Sequence, residues 1–261
     1  MKKIFFILCF FVISNSIFCK EKIHPKNPHQ RAWYSSHLKK NYSGIQFDSN
    51  RMIPTDQRLN IIKTLIPSNP IILESGAYIG DDTTEFSKKW TNARIISFEP
   101  NPHAFSQLEK NTKNIKNVER YNLALNSFNG TTNFFAGKNE WEGASSLLAP
   151  SKWRKNIYNG TLIDVTCVIL DDLCEKNNID HVDFMWLDME GAELLVLQSS
   201  PKILGKTKVI YTETNFQGYR KNMAQFKDLK KFLEDNNFYL LAHWWLKNSQ
   251  GDAIFIHKSL L

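Results

Sequence analysis

From residue 71 onward, short apolar segments alternate with longer segments of helical character, and this alternation constrains the fold more than any other feature of the sequence. The predicted strands are residues 71–73, 94–98, 118–123, 131–135, 165–169, 182–187, 209–212, 238–245 and 253–257. The predicted helices are residues 55–65, 82–90, 102–111, 171–176, 192–204 and 225–236. Strands that alternate with helices pair in parallel through right-handed crossovers. The sequence therefore predicts an α/β fold with a mainly parallel sheet, helices on both faces and an antiparallel closing strand. Ligands of such sheets bind at the carboxyl ends of the strands.

Two of the predicted helices carry start signals. Asp82 and Glu85 have the spacing of a capping box. Asn101 is a favoured N-cap residue, and Pro102 suits the first position of a helix. We therefore expect helices to begin at these two places, each shortly after a strand.

Residues 1–19 differ from the rest of the chain. Met1-Lys2-Lys3 precedes the apolar residues 4–13, and small polar residues follow, which is typical of a secretory leader. The apolar run is shorter than the about 20 residues of a membrane span. We expect this segment to export the protein or, through residues 4–19, to anchor it to a membrane. Because basic residues flank the run on both sides, an anchor with the domain facing the cytoplasm is the alternative. Residues 20–60 are predicted to form an arm.

Composition excludes several classes of protein. The 261 residues are 42% hydrophobic and contain four cysteines, so neither a disordered chain nor a disulfide scaffold is expected. The net charge of +7 is spread along the chain, so a nucleic-acid partner is not expected. Cys167 and Cys174 are predicted to be free thiols.

A glycine-containing turn, residues 74–80, follows the first predicted strand. Gly76 and Gly80 let the backbone turn sharply and approach a ligand. Glu99 lies 19 residues after Gly80, at the end of the second predicted strand, where a carboxylate accepts the hydroxyls of a ribose. Taken singly, each feature is better explained without a ligand, the glycines by a tight strand-to-helix turn and Glu99 by a solvated cap. Their joint spacing favours a nucleoside-type ligand.

The charge near this turn separates two classes of cofactor. A dinucleotide places its pyrophosphate at the N-terminus of the first helix, where Asp81 and Asp82 would repel it. Tyr78 also stands where the dinucleotide fingerprint needs its second glycine. Glu74 suits a ligand with an ammonium group, such as the methionine end of S-adenosylmethionine. An NAD-dependent oxidoreductase is therefore disfavoured.

Five stretches occur in an order typical of a known family. They are residues 73–80 (LESGAYIG), 96–102 (ISFEPNP), 122–125 (NLAL), 170–173 (LDDL) and 186–193 (WLDMEGAE). Through them the chain resembles the FkbM family of class I S-adenosylmethionine-dependent methyltransferases. The resemblance implies a Rossmann-like fold with a seven-stranded sheet and a methyltransferase domain over residues 61–261. The chain departs from the family pattern at Glu74-Ser75 and at Tyr78.

The resemblance also implies roles for individual residues. S-adenosylmethionine is the expected cofactor, with Glu99 on its ribose hydroxyls. The other implied cofactor residues are Glu74, Gly76, Ala77, Tyr78 and Gly80 near the methionine part, and Asn122 and Ala124 beside the adenine.

Acidic residues follow two of the later strands. Asp188 comes directly after strand 182–187, Glu190 follows it closely, and Glu213 ends the next strand. Such acids act as a general base toward a hydroxyl or share a divalent metal ion. Helix capping explains Glu190 and the nearby Glu193 equally well. For Asp188 a site-lining role is favoured, because a carboxylate after a buried strand needs a partner or a cavity.

Two aromatic or serine-rich stretches are further candidates for the acceptor pocket. Residues 141–148 contain Gly-Ala-Ser-Ser, which suits hydrogen bonds to a sugar or an ordinary loop. His243 lies in an aromatic strand and is a candidate acid or base, although aromatic strand residues usually belong to the core.

The predicted function is methylation of a hydroxyl on a saccharide, a glycolipid or a secondary metabolite. A non-catalytic nucleotide- or glycan-binding module on the same fold is the alternative. An export-like segment gives that alternative weight, since S-adenosylmethionine is made in the cytosol. Intact Glu74, Glu99 and Asp188 argue for the enzyme.

Overall fold

The computed structural model describes residues 48–49, 53–152, 160–245 and 250–260. The predictions for residues 1–19, and for the arm up to residue 47, lie outside the described residues. Where the structure is described, no helix is both long enough and apolar enough to cross a membrane.

The described residues form eleven strands and seven α-helices. The strands are β1 (Asp48–Ser49), β2 (Ile71–Ser75), β3 (Arg94–Phe98), β4 (Val118–Tyr121), β5 (Ala124–Leu125), β6 (Gly130–Gly137), β7 (Gly160–Val168), β8 (Val182–Leu187), β9 (Thr207–Asn215), β10 (Phe238–Trp245) and β11 (Gln250–His257). The helices are α1 (Thr55–Lys63), α2 (Asp81–Lys89), α3 (Pro102–Thr112), α4 (Leu170–Lys176), α5 (Glu193–Ser199), α6 (Pro201–Leu204) and α7 (Phe226–Asp235). Short 3₁₀ segments cover Asn139–Ala144 and Lys258–Leu260.

The main sheet has the strand order β1-β10-β11-β9-β8-β2-β3-β4. The strands β9, β8, β2, β3 and β4 pair in parallel. Strand β11 is antiparallel to both of its neighbours, β9 and β10, as expected for the closing strand. The predicted mainly parallel sheet is confirmed. Seven of its strands match the expected number, and the two-residue β1 adds an eighth at the edge.

Helices cover both faces of this sheet. On one face, helices α1 and α2 contribute core residues to a cluster with the sheet: Leu59, Ile62, Phe86 and Trp90. On the other face, helices α4, α5 and α7 contribute Leu173, Val196 and Leu229. Strand β8 is buried along its whole length because both layers pack against it.

The strands predicted at 131–135 and 165–169 are present as β6 and β7, and they belong to a separate three-stranded sheet, ordered β5-β7-β6. Two other local predictions were wrong. The helix predicted at 192–204 is two helices, because Pro201 lacks an N–H and starts α6. Asp82 does not cap α2. Gly80 does, at φ +91°, and Asp82 lies inside the first turn.

The other predicted cap is confirmed. Asn101 precedes α3, its side-chain oxygen accepts a hydrogen bond from the His103 N–H at 3.1 Å, and Pro102 occupies the first helical position. Cys167 and Cys174 are both buried and free, as expected.

Candidate active site

A cavity of about 220 Å³ opens at the carboxyl ends of β2, β3 and β8. This volume accommodates a small organic molecule rather than a single water. Its wall includes Gly76, Ala77 and Tyr78 of the turn after β2, Glu99 after β3, and Asp188 after β8. The small sheet completes the wall with Ala124, Leu125 and Phe134.

The turn after β2 is held against both neighbouring strands. The N–H groups of Gly76 and Ala77 donate to the Phe98 carbonyl at 3.1 and 3.0 Å, and the Asp188 N–H donates to the Ser75 carbonyl at 3.0 Å. Gly76 has φ +88°, and a Cβ at this position would lie 1.8 Å from the Asp188 carbonyl oxygen. Only glycine therefore allows the turn to touch the backbone of the acidic loop.

Glu99 lies in the cavity wall with both carboxylate oxygens in use. Oε2 accepts a hydrogen bond from the Tyr78 N–H and Oε1 accepts one from the Asn101 N–H, each at 2.8 Å. The residue is 5% exposed, and burial raises its pKa to about 7. Tyr78 has φ +47°, a left-handed conformation that the hydrogen bond to Glu99 helps to hold.

Five of the eight predicted cofactor residues line the cavity: Gly76, Ala77, Tyr78, Glu99 and Ala124. Glu74 lies beneath it, where its Oε2 accepts hydrogen bonds from Thr83 and Ser97, and burial raises its pKa to about 7. Gly80 caps α2. The Asn122 amide donates to the backbone carbonyls of Glu99 and Pro100, at 2.8 and 3.1 Å. These three residues support the wall rather than form it.

Three predicted catalytic acids converge at the edge of the sheet, and one of them, Asp188, lines the cavity. Carboxylate oxygens of Asp188, Glu190 and Glu213 all lie within 4.8 Å of one another. Desolvation by the surrounding protein raises the pKa of Asp188 and of Glu213 well above the usual range, and the neighbouring acids raise both further, although the Asp188 side chain is exposed where it lines the cavity. Burial raises the pKa of Glu190 to about 7, although Arg220 opposes the shift. These acids therefore lie together at the edge of the sheet, as the sequence predicted.

The loop that carries Glu190 has an unusual backbone. Glu190 and Gly191 have φ +53° and +104°. The Glu193 carboxylate accepts hydrogen bonds from the N–H groups of Met189 and Gly191, at 2.9 and 3.2 Å, and the Ser146 hydroxyl donates to the Glu190 carbonyl at 3.0 Å. Glu193 and Ser146 therefore hold the acidic loop in place.

His243 lies apart from these acids. Its Nε2 is 3.2 Å from the Thr214 hydroxyl, and Thr214 leaves β9 on the face opposite Glu213 because successive strand residues alternate. The ring stacks on Phe226 with a centroid distance of 3.9 Å. Burial lowers its pKa to about 4. The structure does not bring His243 together with the other predicted catalytic residues.

Sequence reasoning missed Glu142, which lies in the 3₁₀ segment Asn139–Ala144. Its carboxylate is 2.6 Å from the His103 Nδ1 and accepts a longer hydrogen bond, 3.4 Å, from the Tyr78 hydroxyl. Glu142, Gly143 and Ser145 line the cavity beside Tyr78. The local sequence does not predict that this glutamate lies in the cavity wall, because its position depends on how the segment packs against the rest of the domain.

Arg58 of α1 was also missed. Its guanidinium contacts the Asp252 carboxylate at 2.8 Å and the Tyr211 hydroxyl, and the Tyr211 ring stacks on Trp186 with centroids 3.7 Å apart. Its charge also acts on Asp82, whose pKa burial raises to about 6. Arg58 therefore offsets part of the acidic charge next to the cavity.

The cavity wall suits a cationic ligand. It contains five carboxylates, from Asp81, Asp82, Glu99, Glu142 and Asp188. Among the described residues that form the wall there is no lysine, arginine or histidine. A pyrophosphate would be repelled here, whereas a nucleoside with a positive charge would be attracted.

The chain is similar to known methyltransferases over more than half of its length. The family model described as Methyltransferase FkbM domain matches residues 74–240. The 2-O-methyltransferase NoeI of Sinorhizobium fredii is 28% identical over 209 residues, which cover 77% of this chain and 84% of that protein. Methyltransferase sdnD of Sordaria araneosa is 26% identical over 159 residues, 51% of this chain and 61% of that protein. The crystal structure of Methyltransferase FkbM from Methylobacillus flagellatus KT has a TM-score of 0.48 and 11% identity, covering 86% of this chain and 48% of that one.

Proposed function

Because the chain belongs to the FkbM family of S-adenosylmethionine-dependent methyltransferases, we propose that it methylates a hydroxyl group of a saccharide. The observation that carries the proposal is that one cavity is lined by the turn of Gly76, by Glu99 and by Asp188, the first residue after β8. The name of the 2-O-methyltransferase NoeI supports oxygen as the acceptor atom. The absence of basic residues from the described wall supports a neutral acceptor rather than a phosphorylated one.

The residues present fit S-adenosylmethionine. Glu99 offers carboxylate oxygens to the ribose hydroxyls, and Ala124, Leu125 and Phe134 offer an apolar surface to the adenine. The acidic wall, with Asp81 and Asp82 close to the turn, favours the sulfonium and ammonium charges. When bound, the cofactor supplies a methyl group on a positively charged sulfur.

The chain's own residues must orient the acceptor and handle one proton. The bound cofactor would supply the methyl group to the acceptor oxygen and would leave as the neutral sulfide. The hydroxyl proton has to leave, and the acids at the ends of β8 and β9 are positioned to receive it. Of the three acids Asp188, Glu190 and Glu213, Asp188 is the one that lines the cavity together with Gly76.

Calorimetry tests the cofactor site. Wild-type protein should bind S-adenosylmethionine, and Glu99→Gln should bind about 10- to 100-fold more weakly, since hydrogen bonds to a charged group contribute about 1.5–3 kcal/mol. Glu85→Gln is the matched control, because that exposed glutamate of α2 pairs only with Lys88 in the described contacts. Equal affinity in wild type and Glu99→Gln, or tighter binding of NAD, would refute the assignment.

Turnover tests the acidic end. With a panel of oligosaccharide acceptors, release of S-adenosylhomocysteine should fall at least about 100-fold in Asp188→Asn, the lower end of what a positioned acid or base contributes. Affinity for S-adenosylmethionine should stay within about threefold of the wild-type value, since Asp188 touches the turn through its backbone. An Asp188→Asn variant with normal turnover would remove Asp188 from the reaction.

A further inference from the structure

The acidic cluster Asp188, Glu190 and Glu213 has more negative charge than its surroundings balance. The charges that act most on Asp188 and on Glu213 are those of other acids, among them Glu190, Glu193 and Asp252. Arg220 acts on Glu190. One arginine beside three carboxylates leaves an excess of negative charge, and carboxylates this close repel one another unless a cation or a proton lies between them.

An independent observation points to a ligand at the same place. The Oδ1 atom of Asn215 is buried and has no hydrogen-bond partner among the described residues, although the residue is only 3% exposed. Asn215 follows Glu213 by two positions in β9, so both side chains leave the strand on the same face. The Oε2 atoms of Glu190 and Glu213 are also buried without a partner in the described structure. Buried polar atoms are normally satisfied, so unpartnered oxygens on Glu190, on Glu213 and on Asn215 two positions further along β9 indicate a missing donor or cation.

We propose that Asp188, Glu190 and Glu213 bind one hard divalent cation, of the Mg²⁺ or Mn²⁺ type, beside the part of the cavity that Asp188 lines. The donors are all oxygens, which these cations prefer over softer metals such as zinc. The three ligand oxygens come from two strand ends and one loop that Glu193 and Ser146 hold rigidly. Asn215 Oδ1 is available to a water bound to the cation.

The role of the cation rests on the proposed function, whereas its binding does not. A hydroxyl that coordinates a divalent cation loses its proton more easily, as a metal-bound water does. With the three acids occupied as ligands, the proton passes to solvent water instead of to a carboxylate. The oxygen lone pair forms the bond to the methyl carbon, and the electron pair of the broken carbon–sulfur bond stays on sulfur. Three carboxylates leave coordination positions open for the acceptor oxygen and for water.

Manganese titration tests the site directly. Full-length protein is treated with EDTA, dialysed and titrated with MnCl₂ while free Mn²⁺ is followed by electron paramagnetic resonance. Wild type should bind one Mn²⁺ per chain with a Kd below about 1 mM. Glu213→Gln and Asp188→Asn should each weaken binding at least about tenfold. Glu175→Gln, an acid whose side chain is 75% exposed beside Lys202, is the control and should bind as wild type does.

Thermal unfolding guards against a variant that simply fails to fold. Without metal, Glu213→Gln should be at least as stable as wild type, because it removes one of the repelling charges. Adding Mn²⁺ should raise the Tm of wild type and of Glu175→Gln but not that of Glu213→Gln. No saturable Mn²⁺ binding by wild type, or binding that survives Glu213→Gln unchanged, would overturn the proposal.

A second titration separates this proposal from the proposed function. S-adenosylmethionine is added to the EDTA-treated wild type in the calorimeter. Binding of S-adenosylmethionine without binding of Mn²⁺ would refute the cation site and leave the cofactor assignment standing. Binding of Mn²⁺ without binding of S-adenosylmethionine would refute the cofactor assignment and leave the cation site standing.

Discussion

Replacing Gly76 by alanine tests how the cofactor turn and the acidic loop fit together. A Cβ at this position would lie 1.8 Å from the Asp188 carbonyl oxygen and 2.8 Å from its carbonyl carbon. Both atoms belong to the backbone, so no side-chain rotation relieves the contact. To reach an ordinary separation of about 3.4 Å, the turn and the loop after β8 must move apart.

The cost can be worked out from the contacts that this movement breaks. Alanine at φ +88° costs about 1–2 kcal/mol relative to glycine. Separation of the segments also stretches the hydrogen bonds from Asp188 N–H to Ser75 and from Gly76 N–H to Phe98, each contributing about 1 kcal/mol. The sum predicts a loss of about 3–4 kcal/mol in the free energy of unfolding. For a domain of this size, the Tm should fall by about 6–16 °C. Displacement of the turn should weaken S-adenosylmethionine binding about 100-fold.

Differential scanning calorimetry and cofactor titration measure both effects. Gly218→Ala is the matched control, because a Cβ there meets only the Arg220 carbonyl oxygen at 3.8 Å, an ordinary contact. The control should keep its Tm within about 2 °C of wild type, as expected for a surface change of under 0.5 kcal/mol. A Gly76→Ala protein that matches this control in both Tm and affinity would refute the reasoning, since the two backbones would then not be in contact.

Three further predictions concern the supports of the site. Burial raises the pKa of Glu74 and of Glu99 to about 7, so between pH ~4.5 and ~7 the folded chain holds protons that the unfolded chain has released. The free energy of unfolding of the cofactor-free protein should therefore fall as pH rises through this window, by up to ~3 kcal/mol per group. Tm values at the two ends of the window measure this fall. A Tm that rises with pH would contradict the burial of these acids. Arg58→Met leaves Asp252 without its ion pair and should cost about 3 kcal/mol in urea unfolding, whereas a loss below about 1 kcal/mol would show that the pair is dispensable. Asn101→Ala removes the cap of α3 and should cost about 1 kcal/mol, with Asn101→Asp, which keeps the acceptor oxygen, restoring most of it.

The strand order of the main sheet explains why the sequence predicted much of the site. Glu99 and Asp188 each follow a short apolar strand, Glu213 lies near the end of another, and parallel strands present such positions at the same edge. The predicted fold class, the family and the methyltransferase activity are confirmed. All of these depend on local patterns, namely apolar runs, a glycine turn and acids at strand ends.

Other parts of the site depend on contacts between distant segments, which local patterns do not contain. The apolar residues of β6 predicted a strand, but its pairing with β7 in a second sheet decides that Phe134 faces the cavity. The position of Glu142 follows from that sheet and from the contact with His103. Which face His243 occupies depends on the register of β10 against β11, and the sequence does not specify it.

The cofactor turn lies beside the acids because the connections that leave β2 and β8 run in opposite directions across the sheet. Strand β2 connects outward to β3 and β4, whereas β8 connects outward to β9 on the other side, so the crossovers diverge between β2 and β8. A crevice is left at such a switch point, and its two walls are the loops after β2 and β8. Gly76 and Asp188 are 112 positions apart in sequence, yet the missing Cβ lets their backbones touch. A residue with any side chain at position 76 would separate the walls. Gly76 therefore makes the turn sharp and also lets the cofactor turn contact the acidic loop after β8. Its replacement should weaken cofactor binding and cation binding together.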